Sequence, residues 1–312
     1  MAPIQTHLVA AAAVAAVLAR GDEAHPQIAR FSAKSELVVL SATALDKKGR
    51  PVTDLGRGEF RITEDGRPQK LEQFSQGAES RLRILLLVDA SGSMSGALKS
   101  ASPRMAAIQL LASLSPDDEA ALAGFDHRYW GIVAFTKDRQ KIERGFEELE
   151  PFGSTALHDA LDKAASDLAS HGEGRRAVVV ITDGVDTASQ QDPGAVVARS
   201  RALDVPIYAV SVVSPLDDPA SPRFTGRERP AVAVAGMAIL KRYALWSGGA
   251  AFTVSDFAGL KQASQRIVAE LKHQYRLGYD PPPGPPRFRS IAVTSTRQGV
   301  VVKTRSGYVP RS

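Results

Sequence analysis

The sequence predicts an α/β fold: a doubly wound, mostly parallel sheet with helices on both faces, and a small accessory β module from the N- and C-terminal flanks. Unbroken apolar runs at 84–88 and 178–181 are typical of strands buried on both faces of a parallel sheet. Segments with helical spacing of apolar residues alternate with such runs, as they do when helices cover a parallel sheet. With 312 residues, 44% of them apolar, the chain can bury a sizeable core.

The N-terminal segment predicts export. Residues 8–19 form an apolar run that is too short to span a bilayer comfortably and has the length of a signal-peptide core. We therefore expect a signal peptide at 1–19, a linker at 20–34, a periplasmic or extracellular location, and no stable transmembrane segment after cleavage. A cytoplasmic N-terminal helix is the alternative, because no Lys or Arg precedes the run.

Residues 35–78 predict a first β segment. An apolar run at 37–40 leads to a turn at 47–51, and Phe60 and Ile62 alternate with polar neighbours before Asp65-Gly66, a strong hairpin signal. About 40 residues bury little surface by themselves, so this segment needs a partner.

Residues 79–274 predict the central domain. The first helix carries Met105, Ile108, Ala112 and neighbouring Leu residues at helical spacing, and 120–125 with 129–135 can form a hairpin that adds one antiparallel strand at the sheet edge. The later elements are a helix capped by Asp138 and bearing Ile142, Phe146 and Leu149, a helix with the stripe Leu157, Leu161, Ala164 and Leu168, a strand at 205–213, a helix at 236–246, a strand at 251–254, and a final helix facing inward with Leu260, Ile267 and Leu271.

Residues 275–312 predict the second β segment. The proline-rich run 281–286 cannot be helix or central strand, and it is followed by two strands at 288–294 and 300–304 joined across 297–299. Neither flank is large enough to stand alone, so we expect the C-terminal segment to pair with residues 35–78.

The candidate site begins where the 84–88 strand ends. Asp89, Ser91 and Ser93 occupy alternate positions, so a tight loop could turn one carboxylate and two hydroxyls toward a common point. These are hard oxygen ligands, suited to Mg²⁺ or Mn²⁺ rather than to zinc or copper. The alternative is a strand-to-helix turn in which Asp89 or a serine is only a helix N-cap.

This Asp-x-Ser-x-Ser spacing resembles the metal-ion-dependent adhesion site (MIDAS) of von Willebrand factor A (VWA) domains, which have a Rossmann-like fold. In that family a threonine from a second loop and an aspartate from a third complete the site, and residues 152–160 and 178–184 match those two loops. The resemblance implies that Ser91, Ser93 and Thr155 bind the cation directly, and that Asp89 and Asp183 act directly or through water. Asp126 and Asp186 receive no ligand role, and Asp159 is interpreted as a supporting or helix-start residue.

The flanking motifs resemble a group of exported bacterial VWA-related proteins that are frequent in acidobacteria. The motifs are listed in chain order: Gly49-Arg50-Pro51-Val52, Phe60, Glu64-Asp65-Gly66, Ser247-Gly248-Gly249, Gln274-Tyr275-Arg276-Leu277-Gly278-Tyr279 and Arg305-Ser306-Gly307-Tyr308. The resemblance covers nearly all of the chain from about residue 35.

The sequence predicts a binding protein rather than an enzyme. A cation held mainly by neutral hydroxyls stays electron-poor and should favour a carboxylate, from an Asp or Glu of a partner protein. Two alternatives remain: a scaffold in which the metal only ties loops together, and a serine or metal-dependent hydrolase. Met94 stands where a GxSxG nucleophile elbow requires serine, and His158 or His273 would have to reach a serine. Nucleic-acid binding lacks support, because the net charge of +5 is spread along the chain.

Overall fold

The computed structural model describes residues 37–76, 81–94, 97–172, 174–213 and 231–310, without the side chains of residues 93, 97–102, 202, 203 and 231–233. The predicted signal peptide and linker, 1–19 and 20–34, lie outside the described residues. Residues Ser35–Ser312 form one compact unit. Among the described residues, none of the helices combines the length and the hydropathy needed to cross a membrane.

The described residues contain fourteen strands and six α-helices. The strands are β1 Val38–Leu45, β2 Phe60–Glu64, β3 Arg67–Gln69, β4 Leu71–Gln76, β5 Leu82–Asp89, β6 Glu119–Phe125, β7 Tyr129–Thr136, β8 Arg175–Thr182, β9 Ile207–Val212, β10 Ala251–Val254, β11 Tyr275–Tyr279, β12 Arg289–Ser295, β13 Val301–Lys303 and β14 Gly307–Tyr308. The helices are α1 Ala97–Ala112, α2 Arg139–Gly145, α3 Leu157–Ser170, α4 Pro193–Leu203, α5 Ala231–Ser247 and α6 Phe257–Lys272. Short 3-10 turns occupy Arg57–Glu59, Gly92–Met94 and Phe146–Glu148.

The central sheet has the strand order β10-β9-β8-β5-β6-β7. All neighbours are parallel except β6 and β7, which form the hairpin that the sequence predicts. One core packs α3, α4 and α5 against one face, and a second core packs α1, α2 and α6 against the other. The predicted doubly wound, mostly parallel α/β fold is therefore confirmed.

The buried face of α1 agrees with the prediction only in its leucines. Met105 is exposed, and the residues that enter the core are Ala106, Ala107, Leu110 and Leu111. The small alanines let α6 approach closely, and the Ser264 hydroxyl of α6 donates to the carbonyl of Ala106 at 3.4 Å. Apolar residues on both sides of the stripe made its centre ambiguous in the sequence. The next helix is also shorter than predicted, because α2 ends at Gly145 and Leu149 follows a 3-10 turn.

The terminal flanks form two further four-stranded sheets, ordered β13-β1-β11-β4 and β14-β12-β2-β3. Each sheet combines strands from both flanks, and the two sheets share one apolar core that includes Leu40, Phe60, Tyr275 and Ile291. The accessory β module of the predicted fold class is thus present. The hairpin at Asp65-Gly66 joins β2 to β3, and both turn residues have positive φ, as a type I′ turn requires.

A buried carboxylate connects four strands of the accessory module. Glu64 is 2% exposed and pairs with the Arg289 guanidinium at 2.8 Å. The Tyr279 and Tyr308 hydroxyls donate to the second oxygen of Glu64 at 2.6 and 3.0 Å. Three of the flanking sequence motifs therefore meet at Glu64, which gives their side chains a shared structural role.

The central domain and the accessory module are joined by a second buried carboxylate. Glu270 of α6 is fully buried and accepts from the Lys303 ammonium of β13 and from the Arg266 guanidinium at 3.1 Å. The Tyr208 hydroxyl of β9 also donates to it, at 3.3 Å. Because the charge is fully paired, this contact can hold the accessory strands against the helical layer.

Candidate metal centre

Asp89 is the last residue of β5, in the middle of the central sheet between β6 and β8. Its side chain is buried, with 2% of the residue exposed. One carboxylate oxygen accepts from the Ser91 amide at 2.9 Å, and the other accepts from the Thr182 hydroxyl at 2.5 Å. The carboxylate therefore has a fixed orientation at the carboxyl end of the sheet, where ligand sites of open α/β folds occur.

Ser91 and Ser93 lie in the tight turn that leaves β5. Ser91 is 1% exposed, and the Met94 amide donates to its carbonyl at 3.0 Å, which closes the turn. Ser93 lies inside the 3-10 turn Gly92–Met94, and its side chain is outside the described residues. The alternation of Asp89, Ser91 and Ser93 thus occurs in a compact turn, as the sequence predicts.

The loop that carries Thr155, which we call the threonine loop, is hydrogen-bonded directly to this turn. The Gly92 amide donates to the carbonyl of Gly153 at 3.0 Å, and the Phe152 amide donates to the carbonyl of Ala90 at 2.8 Å. Gly153 has φ +79°, a conformation that favours glycine, and thereby lets the loop turn back toward Thr155. Thr155 itself is buried, just before α3 begins.

The loop that carries Asp183 follows β8 and is hydrogen-bonded to the threonine loop. Asp183 is the first residue after the strand and is half-buried. Further along, the Thr187 and Ala188 amides both donate to the carbonyl of Thr155 at 2.9 Å, while the Thr155 amide donates to the Thr187 hydroxyl at 3.0 Å. The loops that carry the predicted site residues are therefore gathered at one edge of the sheet.

The electrostatics of the site disfavour a negative charge in the absence of a cation. The pKa of Asp89 is raised to about 6, first by burial and to a smaller extent by the nearby Asp183 carboxylate, while hydrogen bonds from Ser91 and Thr182 oppose the shift. None of the largest contributions to this pKa comes from a positively charged side chain. The described parts of the chain also hold no cluster of three or more His, Cys, Asp or Glu side chains suited to a metal. A cation here would depend on hydroxyl ligands.

The remaining acidic residues near the site fasten loops. Asp126 accepts from the Arg128 amide at 2.7 Å, and Asp159 accepts from the Gln190 and Gln191 amides at 2.9 and 3.0 Å. Asp186 accepts from the Ser189 hydroxyl at 2.5 Å. These contacts give each carboxylate a local structural role.

His158 makes a contact that the sequence did not reveal. Its Nδ1 lies 2.7 Å from the hydroxyl of Tyr243 on α5, and its amide donates to the Ser189 hydroxyl at 2.9 Å. Burial lowers the pKa of His158, although the Asp186 carboxylate opposes this shift. Tyr243 is 85 positions away, so no local signal could have indicated the pair. The Thr182–Asp89 contact was missed for the same reason, because it depends on the pairing of β5 with β8.

Residues 84–185 match the family model described as von Willebrand factor type A domain. The chain therefore contains a VWA domain whose matched region includes all five candidate site residues. Comparison with curated proteins finds no significant match.

Solved structures with similar folds include a von Willebrand factor type A protein from Catenulispora acidiphila, with 11% identity, 89% of this chain and 75% of that chain covered, and a TM-score of 0.50. The conserved hypothetical protein BatB from Bacteroides thetaiotaomicron has 17% identity over 61% of this chain and 99% of its own, with a TM-score of 0.46. The PilB minor pilin from Streptococcus sanguinis has 13% identity over 63% of this chain and 62% of its own, with a TM-score of 0.45. At 11% identity the likeness to the Catenulispora acidiphila protein concerns the fold alone.

Proposed function

We propose that the VWA domain of this chain is a divalent-metal-dependent protein-interaction module that captures an Asp or Glu carboxylate of a partner protein. The observation that carries the proposal is the meeting of three loops around the buried Asp89 carboxylate, at the carboxyl edge of the sheet. The match to the VWA family supports the proposal, because VWA domains commonly mediate protein interactions.

The donor set fits Mg²⁺ or Mn²⁺. The hydroxyls of Ser91, Ser93 and Thr155 and the carboxylates of Asp89 and Asp183 are all oxygen donors, which hard divalent cations prefer. Asp89 and Ser91 are buried at the carboxyl end of β5 and are not part of the apolar core. A cation would also offset the negative charge of the buried Asp89 carboxylate, which burial and the Asp183 carboxylate both disfavour.

The loop contacts favour binding over a purely structural metal. Four backbone hydrogen bonds already join the three loops: Gly92 to Gly153, Phe152 to Ala90, and Thr187 and Ala188 to Thr155. A cation is therefore not needed to hold the loops together. When bound, it would supply an open coordination position for a partner carboxylate, and the protein's own residues would orient it.

We further propose that the protein is not an enzyme. The Nδ1 atom of His158 faces the Tyr243 hydroxyl, and the Ser189 hydroxyl donates to Asp186 rather than to an imidazole. We also propose export, because the apolar run at 8–19 has the length of a signal-peptide core.

Two titrations test the proposal. Calorimetry with Mg²⁺ and Mn²⁺ should show binding to the wild type, strongly weakened in Thr155→Val and unchanged in Thr63→Val, which removes a hydroxyl from β2 instead. Acetylated and amidated Gly-Asp-Gly should then bind in Mg²⁺ but not with chelator, whereas Gly-Asn-Gly should bind in neither. Equal metal binding by both variants would place the ion elsewhere, and metal binding without any preference for the Asp peptide would contradict carboxylate capture.

A further inference from the structure

A large aromatic side chain stands in solvent on the threonine loop. Phe152 is 76% exposed, the largest exposed fraction among the large hydrophobic side chains that the structure describes. Single exposed hydrophobic residues are ordinary, so the exposure alone carries no meaning. The backbone of Phe152 is nevertheless fixed, because its amide donates at 2.8 Å to the carbonyl of Ala90, the residue between Asp89 and Ser91.

A cavity of about 330 Å³ lies next to the same position. We call it the rim cavity. Its wall includes Asp89 and the apolar residues Met94, Pro103, Phe146, Leu149 and Pro151. Pro151 directly precedes Phe152, so the exposed ring and the cavity belong to one continuous stretch of the loop.

We propose that the rim cavity and Phe152 together bind a large apolar side chain adjacent in sequence to the carboxylate that the candidate metal centre captures. The proposal rests on the proposed function. It identifies the partner as a protein segment in which an Asp or Glu is flanked by Leu or a residue of similar size and hydropathy.

The position of Asp89 indicates which residue of the partner would enter the rim cavity. Because Asp89 belongs both to the candidate metal centre and to the rim cavity, a ligand held at the centre already stands at the cavity. Neighbouring Cα atoms are about 3.8 Å apart, so only a residue next to the captured carboxylate is held there without a further loop of the partner. The cavity lies at the small end of the range for ligand pockets, which suits one or two side chains.

The chemistry of the wall also selects the occupant. The apolar residues of the wall would contact an aliphatic or aromatic side chain, whereas an uncharged polar side chain would lose much of its hydration there. Arg104 also lines the cavity, and its positive charge favours an acidic segment over a basic one.

The test compares two matched peptides, acetylated and amidated Gly-Leu-Asp-Leu-Gly and Gly-Ser-Asp-Ser-Gly, by NMR titration of the methyl-labelled full chain. In Mg²⁺ the leucine peptide should bind about tenfold more tightly, which corresponds to partial burial of one leucine, and should shift the Met94 methyl resonance. Phe152→Ser should reduce the leucine-peptide affinity several-fold and leave the affinities for Mg²⁺ and for the serine peptide unchanged. Phe257→Ser, which removes a 50%-exposed phenylalanine at the start of α6, is the matched control. It should leave the affinities for Mg²⁺ and for both peptides unchanged.

The outcomes separate this inference from the proposed function. If the serine peptide binds in Mg²⁺ and leucine adds no affinity, carboxylate capture stands and the apolar subsite is wrong. Equal effects of Phe152→Ser and Phe257→Ser would also overturn it. If the protein binds Mg²⁺ but neither peptide, carboxylate capture and the subsite both fail.

Discussion

Replacing Asp89 by asparagine should stabilise the metal-free protein near neutral pH while removing its response to Mg²⁺. The substitution keeps the size of the side chain and one acceptor oxygen for the Ser91 amide or the Thr182 hydroxyl. It removes the buried negative charge, whose formation is disfavoured by burial and by the Asp183 carboxylate.

The size of the effect follows from proton linkage. The pKa of Asp89 rises from 3.8 to about 6 on folding, and each unit corresponds to about 1.4 kcal/mol, so the ionised group costs the metal-free fold roughly 3 kcal/mol. Because the pKa of Asp89 is raised in the folded state, the protonated carboxyl contributes fully to the free energy of unfolding below about pH 4. This contribution is lost as the pH rises through about 6. The lost acceptor oxygen offsets about 1 kcal/mol of the gain, so we expect Asp89→Asn to be more stable by about 1–3 kcal/mol at about pH 8.

Urea denaturation with chelator at about pH 4 and pH 8 measures this difference, and other titrating groups cancel between wild type and variant. Added Mg²⁺ at about 100 times its Kd should stabilise the wild type by about 2.7 kcal/mol and leave the variant unchanged. The exposed carboxylate of Asp280 provides the control, and Asp280→Asn should behave as wild type. A variant that follows the wild-type pH profile, or that gains as much stability from Mg²⁺, would refute the reasoning.

Three further predictions concern the flanks and the N-terminus. Glu64→Ala should lower the free energy of unfolding by about 3–5 kcal/mol, because it leaves the buried Arg289 charge unpaired; a loss below about 1 kcal/mol in urea denaturation would contradict this pairing. Truncation after Asp280 removes β12, which pairs with β2, β13, which pairs with β1, and β14, which pairs with β12, and should lower the melting temperature and the resistance to protease; unchanged values of both would show that the flanks do not depend on each other. N-terminal sequencing of the protein exported by its host should find a mature start near Arg20, and a mature soluble form that retains Met1 or Ala2 would contradict export.

The central sheet was predictable because its signals are local. The apolar run at 84–88 and its termination at Asp89 are enough to predict β5 and the position of its carboxylate. The helix N-cap at Asp138 was also correct, since its side chain accepts from the Lys141 amide. By contrast, α5 begins at Ala231, before the predicted start at 236, so that Gly236 lies inside the helix, where glycine is normally disfavoured.

The contacts that the sequence could not supply depend on pairing across long separations. A short turn joins the C-terminal strands β12 and β13, but the two strands lie in different sheets. β12 pairs with β2, and β13 pairs with β1. Glu64 and Tyr308 are separated by 244 positions, so their motifs could be recognised but not joined, and Arg289, 225 positions from Glu64, lies in no recognised motif. At the candidate site, the order of the three segments along the chain and their Asp, Ser and Thr residues were enough to identify the three loops. The backbone hydrogen bonds between these loops are visible only in the folded structure. The identity of the metal ligands stays a prediction.

A crystal of the full chain soaked in Mn²⁺ and acetate tests the central claim most directly. We expect an anomalous difference peak bounded by Asp89, Ser91, Ser93, Thr155 and Asp183, with an acetate oxygen on the ion. A peak at any other group of side chains, or a fully soaked crystal without a peak at this site, would contradict it.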